Sequence, residues 1–246
     1  MHIHIGENPQ VIGEMTATLF AAQILRKPDS VLGLSTGSSP LPTYAALVRR
    51  YLAGELDVSR ITSFNLDEYV GLAPDHPESY HHFMWSHLFT PMGMRPEQVH
   101  LPHGDAPDPQ AECARYDAAI AAAGGIDLQL LGIGLNGHIG FNEPEPVFSR
   151  RAHVIDLTPS TLEANRCHFA TEAEMPRQAI TVSIRGIFQA RSIVLIACGE
   201  AKADIVRAMV EGEIVPAVPA SILQLHSDVH VLLDRAAASR LTCACA

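Results

Sequence analysis

Short apolar runs alternate with stretches of helical period along the whole chain. "MHIHI" reads as a first strand, and Asn8 to Arg26 follows with Val11, Ile12, Met15 and Leu19 at helical spacing. "VLGLS" (31–35) reads as a strand and "LPTYAALVRRYL" (41–52) as a helix. "RITSFNLD" (60–67) is the next strand, and "PESYHHFMWSHLF" (77–89) a helix with Phe83, Trp85 and Leu88 toward the core. "VHLP" is a short strand, and "DPQAECARYDAAIAAAGG" (108–125) a helix with an acidic start and a Gly-Gly stop. "IDLQLLGIG" (126–134) is a continuous apolar strand of the kind buried on both faces of a parallel sheet. After a long irregular stretch come the strands "AITVSI", "SIVLIACG" and "DVHVLLD", with the helix "EAKADIVRAMVEG" (200–212) between the last two.

This alternation predicts βαβ units and an α/β fold, a single-domain, doubly wound, mostly parallel sheet. There is no internal repeat and no low-complexity linker. Ligands of such sheets bind at the carboxyl ends of strands.

Composition narrows the partners. A net charge of −10 argues against nucleic-acid or anionic-membrane binding, which need a basic surface, but leaves room for an anionic small substrate in a local positive pocket. No apolar run is long enough for a membrane span, and the opening "MHIHIGENPQ" has no secretion signal. The five cysteines are odd in number, contain no C-x-x-C, and fit a reduced, cytoplasmic protein. Neither "HIH" (2–4) nor "HH" (81–82) has partners at metal-ligand spacing, so no metal is expected.

Four stretches carry candidate chemistry. In "LGLSTGSSPLPTYAAL", Gly33-Leu-Ser35-Thr-Gly37 matches the G-x-S-x-G nucleophile elbow. The same text reads as a phosphate cradle, with Gly37 free in its backbone, hydroxyls on Ser38 and Ser39, and Pro40 starting a helix. Ser-Ser-Pro is also good helix-cap chemistry, and cap plus anion site is favoured over the elbow. In "CGEAKADI", Lys202 sits in the first helical turn, where it opposes the helix dipole; a bound anion would account for it, a solvated side chain equally well. In "SFNLDEYVGL", Asp67 and Glu68 stand at a strand end, where a carboxylate either acts as a base or caps the next turn.

The fourth stretch is "LLGIGLNGHIGFNEPEP". Gly132, Gly134 and Gly137 spell G-x-G-x-x-G after a strand, with Asp156 downstream, the pattern of a dinucleotide site. Such a site needs the third glycine at a helix start, and Gly140, Pro144 and Pro146 break any helix here. What remains is a loop carrying Asn136, His138, Asn142 and Glu143, in which a histidine near a carboxylate can transfer protons.

Taken together, "LGLSTGSSPLPTYAALV", "FNLDEYVGL" with "HPESY", "LGIGLNGHIGFNEP", "ACGEAKA" and "ILQLH" resemble the glucosamine-6-phosphate deaminase/isomerase family, in its order and spacing, over roughly residues 1 to 235. The resemblance implies a Rossmann-like sheet without a nucleotide, no cofactor, and an amino-sugar phosphate as substrate. It implies that His138, oriented by Glu143, moves the ring-opening proton, and that Asp67 carries the proton from C2 to C1. Thr36, Gly37, Ser38, Ser39 and Lys202 would hold the phosphate. A lid is expected within residues 142–177; homo-oligomerisation and the hexosamine epimer are left open.

At Asn136 many members of the family carry aspartate and others asparagine, and the chain departs from the family pattern at "EANRCHF", where Arg166 falls one residue before the usual lid arginine. A 6-phosphogluconolactonase-like hydrolase, a deaminase of another hexosamine phosphate and a non-enzymatic sugar-phosphate sensor are the alternatives. A lactonase would not need a base at C2, and a sensor of this kind would need a DNA-binding module, for which the first 30 residues have no helix-turn-helix.

Overall fold

The computed structural model describes residues 1–158, 162, 169 and 175–242. The strands are β1 (His2–Gly6), β2 (Val31–Leu34), β3 (Thr62–Asn65), β4 (Asp67–Tyr69), β5 (Val99–His100), β6 (Leu128–Leu131), β7 (His153–Asp156), β8 (Gln178–Thr181), β9 (Ser192–Ala197) and β10 (Val229–Asp234). The helices are α1 (Pro9–Arg26), α2 (Leu41–Leu52), α3 (Tyr80–Met84), which runs on into a π-helical turn (Trp85–Phe89), α4 (Pro109–Ala122), α5 (Ile184–Phe188) and α6 (Ala203–Glu211). No helix among the described residues is long and apolar enough to cross a membrane.

Seven strands form one parallel sheet in the order β1-β10-β9-β6-β2-β3-β5. Its central strands are buried on both faces, because alternate side chains point to opposite sides. In β9, Ile193 and Leu195 pack with Tyr116 of α4, Ile187 of α5 and Val206 of α6. Val194 and Ile196 pack on the other face with Phe20 of α1, Tyr44 of α2 and Met84 of α3. Each such side chain contributes about 1.5–3 kcal/mol by leaving water. Helices thus cover both faces, the doubly wound arrangement expected from the sequence.

Helix starts follow local chemistry. Asn8 accepts a hydrogen bond from the Val11 N–H ahead of Pro9, and Asp108 accepts from Gln110 and Ala111 ahead of Pro109. Ser79 caps α3 through the His82 N–H, so the helix begins at Tyr80, three residues later than its apolar pattern suggests.

The structure corrects four readings. "RITSFNLD" is two strands: the chain leaves the large sheet at Leu66, whose N–H bonds to Leu34 and whose carbonyl accepts from Val182. Asp67 therefore opens β4 of a second, antiparallel sheet, β4-β8-β7, instead of ending a strand of the first. "AITVSI" supplies β8 of that small sheet, and β7 arises within the stretch read as irregular. "IDLQLLGIG" is strand only over Leu128–Leu131, and the helix at 200–212 starts as a 3-10 turn (Glu200–Lys202). The expected lid at 142–177 falls partly outside the described residues.

Candidate active site

Asp67 is buried at the start of β4, directly opposite Thr181 of β8. The loop after β6 closes over it at Gly140. A Cβ there would lie 3.4 Å from Asp67 Oδ2 and 3.0 Å from Thr181 Oγ1, and φ is +57°, so glycine suits both the space and the backbone. Burial first, and the neighbouring Glu68 carboxylate second, push the Asp67 carboxyl up to about 8.

Glu68 is also buried but does not face the same way. Its Oε1 accepts the N–H groups of Tyr69 and Tyr80 and its Oε2 that of His81, each at 2.9 Å. Burial raises its carboxyl above the ordinary range although these donors oppose the shift.

The loop from Gly132 to Glu143 holds the second acid–base group. Gly134 N–H bonds to the His138 carbonyl and Gly137 N–H to that of Gly134, a tight turn in which Gly137 has φ +87°. Asn136 ties the turn together. Its Oδ1 accepts the His138 N–H at 3.2 Å, and its Nδ2 donates to Glu143 Oε2 at 2.6 Å. The same Glu143 oxygen lies 3.4 Å from His138 Nδ1, within ion-pair reach but without an aligned hydrogen bond. Thr158 donates to the other Glu143 oxygen at 3.1 Å. Asn136 thus fixes the backbone of the histidine and the carboxylate that orients it. Asn142, named beside them in the sequence, is structural: its amide bonds to the carbonyls of Ile139 and Val182 and its oxygen accepts from Ser149.

The third wall is the loop after β2. Gly37 has φ +89° with nothing near a Cβ, and Ser38 and Ser39 are exposed beside it. The helix-cap expectation is corrected here: α2 has no side-chain cap, so neither seryl hydroxyl is used in that way. Lys202 reaches across from the 3-10 turn after β9, and its Nζ donates to the Ile133 carbonyl at 2.6 Å. Burial lowers its ammonium below the ordinary range. The nucleophile-elbow reading gains nothing, since Ser35 Oγ is buried without a hydrogen-bond partner among the described residues and so has no base.

These loops enclose one cleft of about 500 Å³ at the carboxyl ends of β2, β3, β6 and β9. Thr36, Gly37, Ser38, Ser39, Asp67, Asn136, His138 and Lys202 line it, while Glu143 stands behind His138. Arg166 lies outside the described residues. Sequence reasoning missed Tyr80, a further lining residue whose ring stacks parallel to Phe141 at 5.9 Å. The signal was available in "HPESY", but its helical period placed the tyrosine no better than its neighbours. Among the described residues no cluster of three or more His, Cys, Asp or Glu is arranged to hold a metal ion.

Comparison with known proteins agrees with this geometry. Residues 9–232 match the family described as glucosamine-6-phosphate isomerases/6-phosphogluconolactonase. The glucosamine-6-phosphate deaminase 2 of Bacillus subtilis (strain 168) is 48% identical over 98% of this chain and 98% of its own. The glucosamine-6-phosphate deaminase of Thermoanaerobacter sp. (strain X514) is 46% identical over 97% of this chain and 94% of its own. The solved structure of a monomeric glucosamine-6-phosphate deaminase superposes with a TM-score of 0.95 at 42% identity, covering 98% of this chain and 100% of the other. The chain belongs to the glucosamine-6-phosphate isomerase/6-phosphogluconolactonase family.

Proposed function

We infer that the protein is a glucosamine-6-phosphate deaminase, which isomerises its substrate and releases ammonia to give fructose 6-phosphate. The observation that carries this reading is the buried Asp67 carboxyl in one cleft with His138 on Glu143 and, across from them, a glycine-serine loop with Lys202.

The phosphate binds at Thr36, Gly37, Ser38, Ser39 and Lys202, and Arg166 is the remaining candidate for it. Lys202, whose Nζ donates to the Ile133 carbonyl, is within the cleft wall and brings a positive charge to the phosphate. This remote binding energy holds the sugar's C1 and C2 against the acid–base groups. His138 moves the proton that opens the ring, with Glu143 holding the imidazole and Asn136 holding both.

Asp67 then takes the proton from C2 and delivers a proton to C1. The electron pair left at C2 forms the enol, and reprotonation at C1 leaves an imine at C2. Water adds there and ammonia departs, so the net change consumes one water. Burial favours the protonated form of this carboxyl. The substrate's cationic amine on C2 favours its ionised form, so the base is charged when the substrate arrives. Each positioned group of this kind contributes about 10²–10⁴-fold.

The alternative in the same family, a lactonase, hydrolyses its substrate with no abstraction at C2. Assays of ammonia release from glucosamine 6-phosphate, galactosamine 6-phosphate and their N-acetyl forms, beside lactone hydrolysis, decide between the readings. Ammonia from glucosamine 6-phosphate is expected, and its absence beside lactone hydrolysis overturns the assignment. We place the reaction in the cytoplasm, within a single domain.

A further inference from the structure

Tyr80 touches three walls of the cleft at once. Its hydroxyl donates to the hydroxyl of Tyr69 at 3.2 Å, on the strand that carries Asp67, and it faces Thr36 of the phosphate loop in the cleft lining. Its ring stacks on Phe141 of the histidine loop, with an interplanar angle of 5°. The three segments that must agree about where a substrate sits therefore meet on one side chain.

Glu68 holds the backbone beneath that side chain. It accepts the N–H groups of both Tyr80 and His81 at 2.9 Å, at the start of α3, and that of Tyr69 on its own strand. Hydrogen bonds to a carboxylate are among the stronger ones, and here three converge on a buried group. Neighbours on a strand point to opposite faces, so Asp67 meets the cleft while Glu68 meets the helix. Any displacement of α3 is thereby referred to the same two-residue step of backbone that places Asp67.

We propose that Glu68 is a positioning residue for the reaction: by anchoring Tyr80 it sets the phosphate loop at Thr36 in register with Asp67. The proposal rests on the deaminase reading for its kinetic consequence, but its structural consequence is separately measurable as affinity for inorganic phosphate.

The test is a double-mutant cycle on the full chain with Glu68→Gln and Tyr80→Phe. Glutamine keeps the shape and loses the charge, and phenylalanine keeps the ring and loses the hydroxyl that bonds Tyr69 and faces Thr36. Each variant is expected to lower kcat/KM for glucosamine 6-phosphate about tenfold and to weaken inorganic phosphate binding, measured by calorimetry, by a similar factor. The double variant is expected to be no worse than the poorer single, because both changes cut one chain of contacts. Additive losses overturn the proposal, as does an E68Q protein that melts at a lower temperature yet keeps kcat/KM and phosphate affinity within about twofold, the spread of independent sites. Should E68Q be too unstable to assay, Y80F decides: unchanged phosphate affinity refutes the link from α3 to the phosphate loop. A wild-type protein that releases no ammonia refutes the deaminase reading instead, and the phosphate measurements still judge Glu68.

Discussion

The His138 imidazole fills the space that a side chain on Gly134 would need. A Cβ there would lie 2.3 Å from the ring's Cε1 and 2.4 Å from Nδ1. Gly134 has no positive φ, so its backbone would accept alanine, and the ring is what the new Cβ meets first. Gly134→Ala is expected to keep the fold and lower kcat by about 10²-fold or more, the usual worth of a positioned acid–base group. Steady-state kinetics beside a melting curve check this; near-normal kcat would mean that the ring position does not matter.

Asp67→Asn is expected to abolish ammonia release and C2–H exchange in deuterium oxide, and to stabilise the protein. The sign follows from a folded-state carboxyl raised from 3.8 to about 8. Below about pH 4 both states are protonated and burial costs nothing extra. As pH rises from 4 to 8 the unfolded chain ionises while the folded one resists, so stability is lost across that window. Asparagine removes the loss. Tm should rise by about 4 °C or more at pH 8, and by clearly less at pH 5. An equal shift at the two pH values would contradict the burial argument.

Asn136→Asp would set a second carboxylate where an amide now donates to Glu143 at 2.6 Å. Repulsion between the two is relieved only by a proton. The variant should therefore melt near the wild-type temperature at pH 5 and below it at pH 8. Melting curves at the two pH values settle the matter, and a variant of wild-type stability throughout would show that Asn136 is not the tie described.

Lys202→Met is expected to raise KM for the sugar phosphate about 10–100-fold, the range for a hydrogen bond to a charged group, with a smaller effect on kcat. In the wild type the same KM should climb with ionic strength, and in the variant much less. A salt dependence that survives the substitution would move the phosphate elsewhere.

The large sheet was legible in the sequence because its central strands are buried on both faces and read as unbroken apolar runs. The loop at 132–143 was legible for the opposite reason: Gly140, Pro144 and Pro146 rule out a helix whatever the surroundings. The transfer of the chain between sheets at Leu66 was not legible. Nothing in "SFNLDEY" marks it, since it depends on carbonyl and N–H partners supplied by Leu34 and Val182, distant in sequence. Asp67, His138 and Lys202 could be singled out because polar groups soon after apolar runs stand out locally. Glu68 could not be told from its neighbour, because which of two adjacent carboxylates faces the cleft is a matter of strand register. The serines at 38 and 39 match a helix cap by composition, and only the structure shows that α2 does without one.

The edge pairing of the large sheet has a bearing on how the molecule is made. Among the described residues β1 is joined to the sheet only through β10, and the imidazoles of His4 and His230, 3.1 Å apart in space, are 226 residues apart along the chain. Contacts so distant in sequence are closed late. During synthesis the first strand must wait, unpaired, until residues 229–234 have left the ribosome. Until then that strand edge is open to pairing with other chains, the exposure that makes long-range β pairing prone to aggregation.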